Sequence, residues 1–212
     1  MPSSFSLPAL VLTWLTGRSV ARGLPAPVSD RGGYRVDTRT DAEAIRWVFP
    51  GISEGLIELG RTVRAPRHFV KSCVERERLR AALPGHWRIH DPGFFMMATG
   101  PFGKHYLVPG YGLETVRHGQ VIEARITAAD GSLAASGYAA ELEDAMIYDR
   151  IVTAPVHQRL GLGTMIMTAL HAAKRNAGAV DLLVATEAGR RLYTRLGWRL
   201  VAPYSSASTI ED

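Results

Sequence analysis

The sequence predicts an α/β fold in which helices flank a central sheet, and three patterns in its second half predict it. Two strand-like segments, VIEARITA and LAASGYAAEL, flank Asp130-Gly131, a dipeptide typical of tight hairpin turns. Apolar residues in 162–173 recur three and four positions apart, which indicates a one-sided helix that Gly178 would cap. The apolar run VDLLVA and the closing WRLV alternate with a second helix at 187–196. With AMIYDRIVTA as a third strand, the order of elements is β, β, β, α, β, α, β.

The first hundred residues predict further elements without a sharp motif. The stretch from Leu7 to Leu15 carries apolar residues at helical spacing, which predicts an amphipathic N-terminal helix that docks on the core. The segment GLPAPVSDRGG at 23–33 ends this helix, because its prolines and glycines sustain neither helix nor central strand. Further along, we predict a strand at 34–37, helices at 41–49 and 68–83, an extended segment at 87–97 and a Gly/Pro-rich link at 100–112.

Composition limits the partners and the compartment. The 212 residues carry a formal net charge of +5, but no helix-turn-helix, RNA-binding sheet motif or aromatic-interleaved basic run is present, so we predict no nucleic-acid partner. Cys73 is the only cysteine, which excludes an intrachain disulfide, and its helical-looking surroundings favour a buried thiol over a nucleophile. The apolar stretch FSLPALVLTWL follows no Lys or Arg and is too short to span a bilayer. We therefore expect a cytoplasmic protein without membrane contact.

The segment APVHQRLGLGT, residues 154–164, places two glycines where a strand turns into a helix. The first N–H groups of a helix have no intrahelical partner, and the macrodipole adds positive charge, so this point attracts an anion. Gly161 and Gly163 remove the side chains that would hold a phosphate away. A sugar phosphate, a nucleotide or the pyrophosphate of coenzyme A would suit such a turn. Close packing of the helix at small residues is the alternative.

Other classes of site lack their motifs. The chain has neither the Gly-Lys-Ser/Thr of a P-loop hydrolase nor a G-x-G-x-x-G that opens an N-terminal βαβ unit. His86 and His90 are four residues apart, but they lie beside Pro84-Gly85 in an extended-looking segment, which is a poor arrangement for metal ligands. We therefore expect no metal.

Residues Gln158-Arg159-Leu160-Gly161-Leu162-Gly163 resemble the acyl-CoA-binding signature of the GNAT N-acetyltransferase superfamily, Gln/Arg-x-x-Gly-x-Gly/Ala. In that family an apolar strand end and a proline precede the signature, as at 151–155 here. A late helix carries an aromatic residue before Gly-aromatic, as in GRRLYTRLGW. Order and spacing agree over about residues 112–204. Thr153 departs mildly from the family's Val, and Thr186 stands where many members carry Asn.

The resemblance implies a GNAT-like fold with a mixed, mostly antiparallel central sheet flanked by helices, here with an N-terminal helical extension. It implies acetyl-CoA as the acyl donor, attacked directly by a primary amine of a small molecule or peptide. Backbone groups of Ile151, Val152 and Thr153 would polarise the thioester carbonyl, and Tyr193 would donate a proton to the departing sulfur. The implied pyrophosphate site consists of Gln158, Arg159, Leu160, Gly161, Leu162, Gly163 and Thr164.

A carboxylate of the third strand is the expected base, because an alkyl ammonium must lose a proton before it attacks. Asp149 is the first candidate, since strand alternation places it on one face with Ile151 and Thr153. Glu141, Glu143 and Asp144 lie in the same segment, YAAELEDAMIYDRI. An ion pair with a neighbouring residue is the alternative role of Asp149.

These expectations divide the chain into three parts. Residues 1–33 form a helix and a linker, 34–111 the N-terminal half of the core with the acceptor site, and 112–212 the acyl-CoA-binding core. The acceptor stays open between an amino acid, a polyamine, an antibiotic and a protein N-terminus, and homodimer formation is open as well. Several arginines either bind an acidic acceptor or form a solvated surface: Arg18, Arg22, Arg35 and Arg46. A module that senses acyl-CoA without turnover is the alternative function.

Overall fold

The computed structural model describes residues 6–98, 100, 102–103 and 106–210, and these form five α-helices and twelve strands. The helices are α1 (Leu7–Arg22), α2 (Glu54–Thr62), α3 (Arg76–Ala82), α4 (Leu162–Ala172) and α5 (Glu187–Arg195). The strands are β1 (Val28–Asp30), β2 (Gly33–Val36), β3 (Ile45–Phe49), β4 (His68–Ser72), β5 (Trp87–Ile89), β6 (Gly93–Ala98), β7 (Tyr111–His118), β8 (Val121–Ala128), β9 (Leu133–Glu141), β10 (Ala145–Thr153), β11 (Val180–Ala185) and β12 (Arg199–Thr209). A 3₁₀ turn, Pro155–His157, lies between β10 and α4.

The strands form one sheet in the order β1-β2-β3-β4-β12-β6-β11-β10-β9-β8-β7, with β5 paired to β12. Strand pairs are antiparallel except for β3 with β4 and β10 with β11. Strand β12 joins the two halves of the sheet, because its first residues pair with β6 and its last residues with β4 and β5. This mixed, mostly antiparallel sheet with flanking helices confirms the predicted fold class. None of the described helices combines the length and the apolar character needed to cross a bilayer.

The local patterns of the second half are confirmed, with three differences. Strands β8 and β9 meet at the predicted turn, where Gly131 has a φ of +85°. Strand β7 lies beyond the predicted pattern, and β12 continues to Thr209, well past the predicted WRLV. The prediction that Gly178 caps α4 is wrong. The helix ends at a capping Ala173, and the next residue, Lys174, turns inward, with its Nζ 2.9 Å from Asp181 Oδ1.

Two helices predicted in the first half are wrong in whole or in part. Within the predicted helix at 41–49, residues 45–49 form strand β3, which is buried at four of its five positions. In the predicted helix at 68–83, residues 68–72 form strand β4, and the chain becomes helical only at α3. The β-branched and aromatic residues of both strands pack between neighbouring strands, which outweighs local helix preference. The sequence patterns also miss helix α2.

Helix α1 packs against strands β9 and β10 of the second half. Its apolar stripe joins a core cluster with Ile147 and Tyr204, and the stripe consists of Leu10, Val11, Trp14 and Leu15. Gly17 allows the close approach, because a Cβ there would lie 2.5 Å from Ile147 Cδ1. Helix α4 belongs to a separate cluster that covers the other face of β8, β9 and β10. The N-terminal helix therefore docks on the core, as predicted, and its C-terminal end lies beside β10.

Candidate active site

Strands β10 and β11 pair over a short stretch and then separate. Their parallel ladder runs from Ala145 with Val180 to Ile147 with Leu182. Beyond this point the strands enclose a cleft of about 800 Å³, which is also lined by residues of α4 and α5. Its volume falls in the range of small-molecule and cofactor sites, and it lies past the carboxyl ends of two parallel strands, where such sites are common.

A β-bulge in β10 decides which side chains face which side of the sheet at this cleft. The register against β9 shifts between Asp149 and Val152, and Arg150 has a left-handed φ of +54°. As a result, Ile151 packs in the cluster of α4, whereas Asp149 contacts α1. The prediction that Asp149 shares a face with Ile151 and Thr153 is therefore wrong, because the extra residue of the bulge interrupts strand alternation.

The turn before α4 has the conformation of an anion-binding site. Arg159 and Gly161 have φ values of +67° and +77°, in the left-handed region. Turns of this kind direct backbone N–H groups into one concavity. Helix α4 begins directly after them, and its N-cap Gly161 has no side chain to accept hydrogen bonds from the first N–H groups. A phosphate can accept these hydrogen bonds instead.

The two glycines of this turn have different structural roles. At Gly161 a Cβ would meet no atom within 4 Å, so the left-handed backbone is the constraint there. At Gly163 a Cβ would lie 3.2 Å from Leu192 Cδ2 and 3.7 Å from Thr153 Oγ1. Gly161 thus leaves the space in front of the turn open, whereas Gly163 lets α4 pack closely against α5 and β10.

Tyr193 on α5 contributes a phenol to the cleft wall. The residue is 7% exposed, and this burial raises the pKa of its hydroxyl to about 12. The hydroxyl therefore keeps its proton throughout the neutral range. A Cβ at Gly189 would lie 3.0 Å from the Tyr193 ring, and the Trp198 ring centroid is 5.9 Å from that of Tyr193. These contacts hold the phenol in place on the helix that Thr186 caps.

Asp149 is the one carboxylate among the described residues that line the cleft. Both of its oxygens accept hydrogen bonds from Arg22, at 2.5 Å from Nε to Oδ2 and 2.9 Å from Nη2 to Oδ1. Arg150 Nε lies 3.5 Å from Oδ2. The alternative carboxylate Glu141 lies at the far end of β9, where it accepts a hydrogen bond from the backbone N–H of Arg175. Asp149 is thus held in the cleft by α1, a helix distant in sequence.

Most of the predicted site residues line the cleft: Asp149, Ile151, Thr153, Gln158, Arg159, Gly161, Leu162, Gly163, Thr164 and Tyr193. The side chains of Val152 and Leu160 instead face solvent. The sequence patterns missed much of the opposite wall, which follows β11: Leu183, Val184, Ala185, Thr186, Ala188 and Gly189. The parallel pairing of β10 with β11 explains why these residues line the cleft, since the carboxyl ends of neighbouring parallel strands lie at the same edge of the sheet. Across the described ranges, no three His, Cys, Asp or Glu side chains are grouped to hold a metal ion.

Comparison with known proteins agrees with this geometry. Residues 118–200 match the family model of the acetyltransferase (GNAT) domain. The chain carries a GNAT acetyltransferase domain. This GNAT domain contains the turn before α4 and Tyr193, and it makes the protein an enzyme of the acetyltransferase class. No curated protein matches the chain.

Solved structures share the fold over both halves of this chain. A GCN5-related N-acetyltransferase from Kribbella flavida has a TM-score of 0.65 at 14% identity, and the match covers 96% of each chain. Another from Sphaerobacter thermophilus has a TM-score of 0.60 at 12% identity, with 84% of this chain and 76% of that one covered. A tandem GNAT protein from the clavulanic acid biosynthesis pathway has a TM-score of 0.56 at 13% identity, with coverage of 85% and 80%. The shared fold therefore extends beyond residues 118–200 into the N-terminal half.

A smaller, strongly polar pocket adjoins the cleft of the GNAT domain. Its volume is about 200 Å³, and it shares Tyr148, Asp149 and Val184 with the cleft. The other lining residues come from α1, β3, β4 and β12: Trp14, Arg18, Arg22, Arg46, Lys71 and Tyr204. We name this space the cationic pocket. Burial lowers the pKa of Lys71 to about 8, and it also lowers the pKa of Arg18.

Replacing Lys71 by Met is expected to raise the free energy of unfolding at pH 7 by about 1–3 kcal/mol. In the unfolded chain the pKa of Lys71 has its ordinary value of 10.5, whereas burial lowers it to about 8 in the folded protein. Below pH 8, folding therefore buries a charged amine beside Arg18 and Arg22, which costs free energy. The Glu43 carboxylate offsets part of this cost, and the His90 ring also lies near the amine.

The difference in the free energy of unfolding between Lys71→Met and the wild type should shrink as the pH rises from about 8 to 10.5, because the folded wild type then carries a neutral amine. Urea denaturation at pH 7 and at pH 10, in a buffer without phosphate or sulfate, measures both effects. A variant that is less stable than the wild type at pH 7 would show that the Lys71 charge is already compensated.

Proposed function

We propose that this protein is an N-acetyltransferase that moves the acetyl group of acetyl-CoA to a primary amine of a small molecule or peptide. The left-handed turn at Arg159 and Gly161, which opens α4 at the mouth of the cleft, carries the proposal because its free N–H groups suit a pyrophosphate. The cleft that begins there has room for an extended thioester arm and leads to Asp149 and Tyr193. The GNAT domain supports acetyl transfer as the reaction class.

This proposal assigns a group of the protein to each step of the reaction. The N–H groups of 158–164 hold the pyrophosphate, and backbone groups of 151–153 polarise the thioester carbonyl. The amine nitrogen attacks the carbonyl carbon, and the C–S bond breaks as the amide forms. Asp149 accepts the proton that the amine loses, and Tyr193 donates a proton to the departing thiolate.

Direct attack fits the chain better than an acetylated side chain. Cys73 is the single cysteine of the sequence, and it lies buried in the core cluster under α1. Burial raises the pKa of its thiol to about 12, so hardly any thiolate forms at neutral pH. Cys73 is therefore a structural residue in this proposal.

Release of the CoA thiol from acetyl-CoA in the presence of pooled amines tests the proposed reaction. Amine-dependent release, together with the mass of one added acetyl group on the amine, supports it. Tight binding of acetyl-CoA without release across all pools would instead indicate an acyl-CoA-binding module. A protein that does not bind acetyl-CoA would overturn the proposal.

Gly161→Asp is expected to bind acetyl-CoA at least about 10-fold more weakly than Gly161→Asn. Asn and Asp tolerate left-handed backbone better than most residues and have nearly the same size, so this pair of variants differs in charge. A carboxylate in the turn repels the pyrophosphate, whereas the amide adds only bulk in an open space. Isothermal titration calorimetry measures both affinities. Equal affinities of the two variants would place the pyrophosphate away from the turn.

A further inference from the structure

We infer that the acceptor amine carries an anionic group, a carboxylate or a phosphate, and that the cationic pocket binds this group. The inference rests on the proposed acetyl transfer, because it names the class of the acceptor. It is carried by the charge balance of the pocket, by polar groups without partners and by the position of the pocket beside the cleft.

Two basic residues of the cationic pocket already have carboxylate partners. Arg46 is bound by both oxygens of Glu43, with Nε 2.5 Å from Oε1. Arg22 is bound in the same way by both oxygens of Asp149. These two ion pairs are internally neutral, so they add no net charge to the pocket.

Arg18 and Lys71 have no such partner. Within the residues that the structure describes, neither side chain donates a hydrogen bond or lies within ion-pair distance of a carboxylate. Both side chains are partly buried. A charge withdrawn from water without a partner costs free energy, and a bound anion removes this cost. The pocket therefore offers two positive charges to a ligand.

The Tyr204 hydroxyl adds a third unused group. Tyr204 is 6% exposed and lines the cationic pocket. Its hydroxyl finds no hydrogen-bond partner among the described residues, although most buried side-chain polar atoms have one. An O–H donor beside two cations is the combination that a carboxylate or phosphate oxygen requires.

Helix α1 brings its arginines to this pocket by helical spacing. Trp14, Arg18 and Arg22 are four residues apart and therefore lie on one side of the helix. That side is apolar where it covers the sheet and becomes cationic towards the C-terminal end, where it reaches Asp149. The change of character occurs where the helix passes from the core to the cleft.

The position and size of the pocket suit the anionic part of a small acceptor. Tyr148, Asp149 and Val184 line both the cleft and the cationic pocket, so an anion in the pocket places an attached amine near Asp149. A volume of about 200 Å³ admits a carboxylate or phosphate with a few carbon atoms. A groove of about 520 Å³ shares Lys71, Val184 and Tyr204 with the pocket and can take the rest of the acceptor. Polycationic acceptors, such as polyamines, are repelled by the same charges.

Matched acceptors test the inference. β-Alanine against β-alaninamide, and O-phosphoethanolamine against ethanolamine, differ in one anionic group near the amine, and spermidine represents the polycations. In at least one pair, we expect kcat/KM to be at least about 10-fold higher for the anionic acceptor than for its neutral analogue. The pair with the larger ratio shows whether the pocket prefers a carboxylate or a phosphate. A neutral amine or spermidine as the best acceptor would overturn the inference.

Variants assign the effect to the pocket. Arg18→Gln and Lys71→Gln should each raise KM for the anionic acceptor at least about 10-fold, mostly without change in kcat. Arg125→Gln makes the same charge change on an exposed side chain of β8 and serves as the control. If Arg18→Gln and Lys71→Gln weaken acetyl-CoA binding rather than acceptor binding, these cations hold the cofactor and the inference is overturned.

Anion binding without turnover gives a second readout. In saturating CoA, inorganic phosphate and malonate should raise the Tm of the wild type and of Arg125→Gln, but not that of a variant with both Arg18→Gln and Lys71→Gln. An equal rise in all three proteins, or none in the wild type, would overturn the inference. Failure of CoA to bind would count against the proposed function alone, because the difference between wild type and double variant still reports on the pocket.

Discussion

Tyr193→Phe is expected to lower the turnover of acetyl-CoA by about 10²- to 10⁴-fold and to leave acetyl-CoA affinity unchanged. The substitution removes only the hydroxyl, so the ring keeps its contacts with Gly189 and Trp198 in the cleft wall. Because burial raises the pKa of this phenol to about 12, the wild type keeps the proton available throughout the neutral range. The expected loss should therefore be of similar size from pH 6 to pH 9.

Steady-state turnover and an independent binding constant separate the roles of Tyr193. Tyr106→Phe removes a hydroxyl from a residue that is 86% exposed and serves as the matched control. A joint loss of binding and turnover in Tyr193→Phe would show that Tyr193 mainly shapes the cofactor site. Unchanged turnover would reject it as the proton donor.

Asp149→Asn is expected to lower kcat by about 10²-fold or more while acetyl-CoA affinity holds. The amide keeps the shape of the carboxylate but cannot accept the proton of the attacking amine. The substitution also weakens the pair with Arg22, so a second variant must separate the two consequences. Arg22→Gln breaks the same ion pair and keeps the carboxylate.

The pH–rate profile distinguishes a base from a positioning residue. As a base, Asp149 should give the wild type an acidic limb that Asp149→Asn loses and Arg22→Gln retains. Arg22→Gln should act mainly on the KM of the acceptor. If both variants change KM alike and keep the same profile, Asp149 acts through Arg22 and another group takes the proton.

Local signals predicted the second half of the chain well. The spacing of Leu162, Met165, Ile166 and Leu170 defined α4, and Asp130-Gly131 defined the hairpin, because each depends on residues close in sequence. The first half lacks such signals. The segment IRWVF becomes a strand because β2 and β4 pair with it on either side, and neither partner is visible in its own residues.

The sequence by itself determined the glycine-containing turn at 158–164, the helix that follows it and the helix that carries Tyr193, because glycine placement, capping and periodicity act within a few residues. The tertiary structure alone decided which face Asp149 takes, since the bulge at Arg150 appears only in the pairing of β10 with β9. The tertiary structure also decided which residues line the cationic pocket, because they come from α1, β3, β4, β10, β11 and β12. Contacts between such distant segments depend on how the strands are ordered in the sheet, and no local pattern records that order.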